Sequence, residues 1–232
     1  MIKPALTKLK NTFIVIVMLI IVFGGYVMIV NRNTTNMTGR QKVLKAIYPM
    51  FVWINKLTNK NRTVISHAAV VPPVSFFSLK AILNDGAMLD MASLKGKKIL
   101  LVNTASDCGY TGQYDQLQKL YSRYNNKLVV IGFPANDFKE QEKGTDREIA
   151  EFCKKNYGVD FPIIQKSIVL KNPGQNSVFQ WLTDPARNGW NSQPPTWNFS
   201  KYLVNEEGIL INYFGPAVEP MDEAIVQAVQ KK

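Results

Sequence analysis

Residues 98–133, KILLVNTASDCGYTGQYDQLQKLYSRYNNKLVVIGF, decide the fold. Lys98–Asn103 (KILLVN) is a short apolar run and reads as a buried strand. From Tyr114 to Tyr124 the apolar residues Leu117, Leu120 and Tyr121 recur among charged ones, which is the pattern of a one-faced helix. Leu128–Phe133 (LVVIGF) is a second buried strand, ending at Pro134. Strand, helix and strand in that order predict an α/β domain.

The pattern continues on the C-terminal side. Asp146–Lys155 predicts a helix with Asp146 as candidate cap, and Ile163–Leu170 is expected to contain a third strand in an edge or half-covered position. Lys201–Asn205, turning at Glu206-Glu207-Gly208 into Ile209–Phe214, predicts a β-hairpin. Pro220–Lys232 closes the chain as a helix, with Met221, Ile225 and Val229 four apart. The expected architecture is a central mixed sheet flanked by helices.

On the N-terminal side, Phe13–Val30 is eighteen residues without a charge. As a helix it covers about 27 Å against a hydrocarbon core of ~30 Å. Lys3, Lys8 and Lys10 give a basic front end, but YVMIVNRN after the run offers no pair of small residues for a peptidase. An uncleaved transmembrane anchor is therefore favoured over a cleaved signal. Arg32, Arg40, Lys42 and Lys45 beyond the span nearly balance the head in charge. A single pass with the large domain outside the cytoplasm (periplasmic in a bacterium) is expected, because a twelve-residue head crosses poorly.

The chain is expected to divide into a short basic tail (1–12), an anchor (13–30), a basic linker or membrane-proximal stalk (31–74) and a folded α/β domain (75–232). Val43–Leu57, apolar, aromatic and basic, with Pro49 inside, suits either an anionic lipid surface or packing on the domain. Asn-x-Thr triplets at Asn33, Asn36 and Asn61 carry no weight in so Asn-rich a stretch. The net charge of +11 is equally localised: residues 1–78 hold ten Lys or Arg and no acid. The remainder holds eighteen basic and seventeen acidic residues, which argues against a nucleic-acid-binding surface on the folded domain.

Two cysteines and one histidine, His67, are too few for a disulfide scaffold or a metal cluster. Cys108 lies between the first strand and the following helix, where unpaired backbone N–H groups would favour a thiolate, with Asp107 opposing. Gly109 and Gly112 leave room for a small substrate. Read alone, Cys108 is equally an inert buried thiol, and Cys153, four residues after Ile149, an apolar-face filler.

Three ordered blocks carry a family likeness: VNTASDCGYTGQYDQLQKLYSRY, VIGFPANDFKEQEKGTDREIAEFC and WNFSKYLVNEEGILINYFGP. They resemble the glutathione peroxidases over residues 75–230, leaving the first 74 outside. The resemblance implies a thioredoxin-like fold, a peroxide-attacking Cys108, and Gln141, Trp197 and Asn198 completing the active site. It places Cys153 at the resolving position of the thioredoxin-dependent, non-selenium members. No cofactor or metal is implied. The short connection between Trp181 and Trp197 resembles members without a tetramer loop, implying a monomeric domain open to large hydroperoxides.

Three positions depart from the family pattern. Ala135 and Asp137 stand in the Phe133–Lys139 segment where cysteine and glutamine are common, and Gly112 replaces a common proline. The implied reaction is reduction of hydrogen peroxide or organic, including lipid, hydroperoxides through a Cys108 sulfenic acid and a Cys108–Cys153 disulfide. A thioredoxin-like protein, or glutathione, would return the thiols. A rival reading is a non-enzymatic peroxide sensor using the same disulfide. A disulfide reductase is disfavoured by the absence of Cys-x-x-Cys.

Overall fold

The computed structural model describes residues 3–58 and 62–231; Asn61 and the terminal residues of the expected tail and closing helix lie outside them. The elements run α1 (Lys3–Val30), α2 (Gly39–Thr58), β1 (Val64–Ser66), β2 (Lys80–Ile82), β3 (Met88–Asp90), β4 (Lys98–Thr104), α3 (Gln113–Tyr124), β5 (Leu128–Pro134), α4 (Asp146–Tyr157), α5 (Ser177–Leu182), α6 (Pro185–Asn188), β6 (Lys201–Val204), β7 (Leu210–Phe214) and α7 (Glu223–Gln230).

The main sheet has the order β1-β7-β6-β4-β5, and β2 and β3 form a separate hairpin. β4 and β5 are parallel, joined by α3, and the other pairs are antiparallel. Alternation along the strands sorts side chains to two cores. Leu100, Val102, Leu128, Val130 and Leu203 face α3, α4 and α7. Ile99, Leu101, Val129, Ile131 and Tyr202 face the opposite way, against Val178, Phe179 and Trp181 of α5. With both faces covered, β4 and β5 are buried throughout, which is why they read as continuous apolar runs. The result is the mixed sheet flanked by helices of a thioredoxin-like fold.

Two local expectations are corrected. Ile163–Leu170 forms only isolated bridges, Gly132 with Ile163, Leu83 with Ile164 and Ile168 with Gln175. Gln165 N–H turns to Ile82 O, and Lys166 N–H is taken at 2.6 Å by Asp146 Oδ1, so no continuous ladder forms. Asp146 is thus spent on Lys166, and Thr145 caps α4 in a reciprocal box with Glu148.

The segment after α1 folds on to the domain. α2 is one helix through Pro49. Tyr48 donates to Glu219 Oε2 at 2.5 Å, and β1 pairs with β7 as the sheet edge. α1 contains an exposed 20-residue apolar stretch, Asn11–Val30, long enough to cross a membrane.

Candidate active site

The turn between β4 and α3 holds Cys108. Its N–H donates to Thr111 Oγ1 at 3.0 Å, and that hydroxyl donates to Ala105 O at 2.9 Å. Thr111 N–H returns to Cys108 O at 3.1 Å. These bonds fix the sulfur at the end of β4, where Tyr110 N–H reaches it at 3.4 Å.

Trp197 and Asn198 come from the turn ahead of β6, and both side chains lie near enough to the Cys108 sulfur to favour its thiolate. Asn103, the last polar residue of the first apolar run, holds that turn. Its Nδ2 donates to Trp197 O at 3.1 Å, its Oδ1 accepts from Ser200 N–H at 3.1 Å, and its carbonyl accepts from Phe199 N–H at 2.6 Å. Phe199 is buried with φ +67°, a conformation that non-glycine residues adopt at a cost. Lys139 and Glu140, immediately before Gln141, share it at φ +53° and +52°. Each such residue costs about 1–3 kcal/mol. Burial of each aliphatic side chain of β4 offsets a similar amount, about 1.5–3 kcal/mol. The core can therefore hold three strained residues around one site.

Gln141 is brought to the cluster through Asn198, whose Nδ2 donates to Gln141 Oε1 at 3.0 Å, while Gln141 O accepts from Asp107 N–H. Lys139 Nζ stands 5.7 Å from the centre of the Trp197 ring. Cys108, Gln141, Trp197 and Asn198 thus converge, although their elements are far apart in sequence.

Cys153 does not join that constellation. It lies fully buried on the inner face of α4, in the same apolar cluster as Cys108, and both thiols are free. Burial pushes its thiol up to about 12, with the Tyr114 hydroxyl opposing and the Glu142 carboxylate adding to the rise.

The expected depression of the Cys108 thiol is not met. Cys108 is 1% exposed, and burial raises it above the ordinary thiol value. The Tyr110 N–H, Trp197 and Asn198 pull the other way, and Asp107 adds a small rise. The N–H groups opening α3 are engaged elsewhere: Gln113 donates to Tyr110 O, Tyr114 to Thr111 O and Asp115 to Gly112 O. They are not available to the sulfur.

Part of the covering comes from α2. Arg40 pairs with Asp107 at 3.2 Å, Gln41 Nε2 donates to Ser106 O at 3.2 Å, and the Phe51 ring meets Tyr110 edge-on at 4.9 Å. A Cβ at Gly112 would stand 2.4 Å from the Tyr48 ring, which accounts for glycine where proline is common. The same segment touches α4. Thr35 exchanges two bonds with the Asn156 side chain, at 2.9 and 3.0 Å, and Lys45 Nζ donates to Asn156 O at 3.3 Å. A cavity of about 630 Å³ opens between these parts, walled by Thr35, Gln41, Asp107, Gln141 and Phe152.

Sequence reasoning missed Asn103 and Glu142. Glu142 is buried beside Gln141, with Oε1 accepting from Ser106 Oγ at 2.6 Å and N–H donating to Asn136 Oδ1 at 2.9 Å. Burial raises its carboxyl to about 7 against the Ser106 hydrogen bonds. A lone polar residue closing an apolar strand was the available signal for Asn103; Glu142 offered none.

A family model described as Glutathione peroxidase matches residues 76–183, starting beyond α1, α2 and β1. The chain is 41% identical over 149 residues to a "Glutathione peroxidase homolog BsaA" of Staphylococcus epidermidis, covering 64% of this chain and 92% of the relative. It is 38% identical over 160 residues to a "Glutathione peroxidase-like peroxiredoxin 2" of Saccharomyces cerevisiae, covering 68% and 98%. Among solved structures, apo Trgpx is similar with a TM-score of 0.52 at 30% identity, over 68% of this chain and 97% of that one.

Proposed function

This chain belongs to the glutathione peroxidase family and is a thiol peroxidase, and on that premise we propose that Cys108 is its peroxide-attacking group and Cys153 its resolving one. The supporting observation is the convergence on one sulfur: Tyr110 N–H reaches it at 3.4 Å, the turn held by Asn103 brings Trp197 and Asn198 to favour its thiolate, and Asn198 holds Gln141. The Cys108 thiolate attacks the terminal oxygen of ROOH, the O–O bond breaks, and the leaving RO⁻ takes a proton to become ROH. Trp197 and Asn198 stabilise the thiolate and the charge that develops on oxygen, and Gln141 orients the peroxide.

Cys108 is then a sulfenic acid. For Cys153 to reach it, α4 unwinds locally; the Cys153 sulfur displaces the hydroxyl, its proton leaves with that oxygen as water, and a disulfide forms. A thioredoxin-like dithiol opens the bridge and is itself oxidised. The capacity for an internal disulfide favours such a donor over glutathione. Turnover of peroxide with each reductant separately, beside C108S and C153S proteins, tests the scheme. C108S loses turnover with both reductants; undiminished thioredoxin-driven turnover in C153S would remove Cys153 from its role.

The domain organisation belongs to the same proposal. Residues 1–12 form a tail, 13–30 cross the membrane, 31–74 connect, and 75–232 form a monomeric catalytic domain on the extracytoplasmic side. The exposed apolar length of α1 supports the crossing. In sealed vesicles of native orientation, protease that digests the domain without lysis matches this topology for an outward-facing domain. Digestion only after the vesicles are opened would reverse it.

A further inference from the structure

α2 presents three sides to three different surroundings. Gln41, Lys45, Tyr48 and Phe51 lie against the catalytic domain. Near its start, Asn31 Nδ2 donates to Lys42 O at 3.0 Å and Tyr26 OH to Ala46 O at 3.2 Å, which ties that side to the end of α1. The third side carries Val43, Ile47, Met50, Ile54 and Leu57, spaced i, i+4, i+7, i+11, i+14, one continuous helical stripe. Met50 is 56% exposed and Leu57 67%, and Trp53 at the edge of the stripe is 62% exposed. Nothing in the described chain covers these three, and Ile47 is half-buried.

The occupant follows from continuity and charge. The stripe begins where α1, apolar on all sides, ends, so the two apolar surfaces meet at the contact between the helices. Residues 1–78 carry ten basic and no acidic side chains, which suits an anionic surface and opposes stacking of two identical basic arms. An exposed tryptophan beside a lysine, Trp53 and Lys56, is the composition of the boundary between lipid and water.

We propose that the outward face of α2 lies in the lipid–water interface of an anionic bilayer, holding the Cys108 turn against the leaflet surface. The inference rests on the reading of α1 as an anchor. Because Tyr48 and Phe51 on the inner side pack on Gly112 and Tyr110, one helix thickness, about 10 Å, separates the lipid-facing stripe from the cysteine turn. Hydroperoxides at the membrane surface then meet the site without leaving it. Packing on the domain and contact with lipid, alternatives by sequence, become two sides of one helix.

The test uses the full chain reconstituted into vesicles of phosphatidylcholine and phosphatidylglycerol, with Trp53 fluorescence obtained as wild type minus Trp53→Phe. Trp53 is expected to be shielded from aqueous iodide and quenched more by lipids spin-labelled near the carbonyl than at the chain end. Ile54→Glu is expected to restore iodide quenching at least twofold. Iodide-accessible Trp53 in protein that floats with the vesicles overturns this inference alone. So does shielding without lipid quenching, the signature of a second copy on the stripe. Protein that does not float with vesicles removes the anchor reading as well, while hydrogen peroxide turnover of the same sample reports separately on the peroxidase.

Discussion

The Asn198 side-chain amide donates to Gln141 Oε1 at 3.0 Å and, on its other side, favours the Cys108 thiolate. It therefore couples the loop after β5 to the turn after β4. Asn198→Ala removes a donor to charge and the anchor of Gln141 together. We expect kcat/KM for hydrogen peroxide to fall about 10²–10³-fold. Gln141→Ala, which leaves Asn198 on the sulfur, costs less. Equal losses in steady-state assays would contradict the bridging role.

Cys108 is raised by burial, so in the reduced enzyme at neutral pH the thiolate is the minor form. Alkylation of Cys108 by iodoacetamide should rise close to tenfold per pH unit and continue upward past pH 9. Trp197→Phe removes a donor and moves the curve to higher pH. A plateau near neutrality would show that the sulfur is ionised more easily than its surroundings indicate.

Glu142 titrates near 7 when folded, above the ordinary carboxylate value. A carboxyl raised on folding stabilises the fold least when ionised: its protonated form is favoured at low pH, and stability is lost as pH rises through 7. Glu142→Gln retains an acceptor for Ser106 without the charge. The stability of the variant relative to wild type should increase from pH 5 to pH 8 by up to about 3 kcal/mol, measured by urea denaturation. A pH-independent difference would mean that the carboxylate is solvated.

Gly112 and Tyr48 occupy one space, since a Cβ would lie 2.4 Å from the ring. Gly112→Ala should destabilise by about 1–3 kcal/mol. In a double-mutant cycle, Tyr48→Ala should relieve most of that loss. Additive losses would separate the two residues.

Thr145 and Glu148 cap α4 reciprocally, at the end of the helix that must open for Cys153 to move. Thr145→Ala should cost about 1 kcal/mol of stability. It should also speed formation of the Cys108–Cys153 bridge after one equivalent of peroxide, followed by mass spectrometry of trapped samples. Slower bridging would show that α4 acts as a whole rather than by unwinding.

Local pattern carried much of the fold. β4, α3, β5, α4, the β6–β7 hairpin and α7 were legible because burial of a strand or one face of a helix imposes a period on neighbouring residues. Ile163–Leu170 misled because its backbone donors are taken by Ile82, Asp146 and Pro134, partners that no window includes. β1 is three residues long, too short to show alternation.

By itself the sequence determined a chain with an apolar N-terminal helix, an α/β domain and two cysteines set in blocks like those of a peroxidase family. Only the tertiary structure decided what surrounds each sulfur. Asn103 holds the Trp197–Ser200 turn, α2 lies over the Cys108 turn, and Cys153 is buried beside Tyr114 on the inner side of α4. Periodicity reports whether a side chain is buried. It does not report which distant group is buried with it, and that neighbour sets the charge and reach of a thiol.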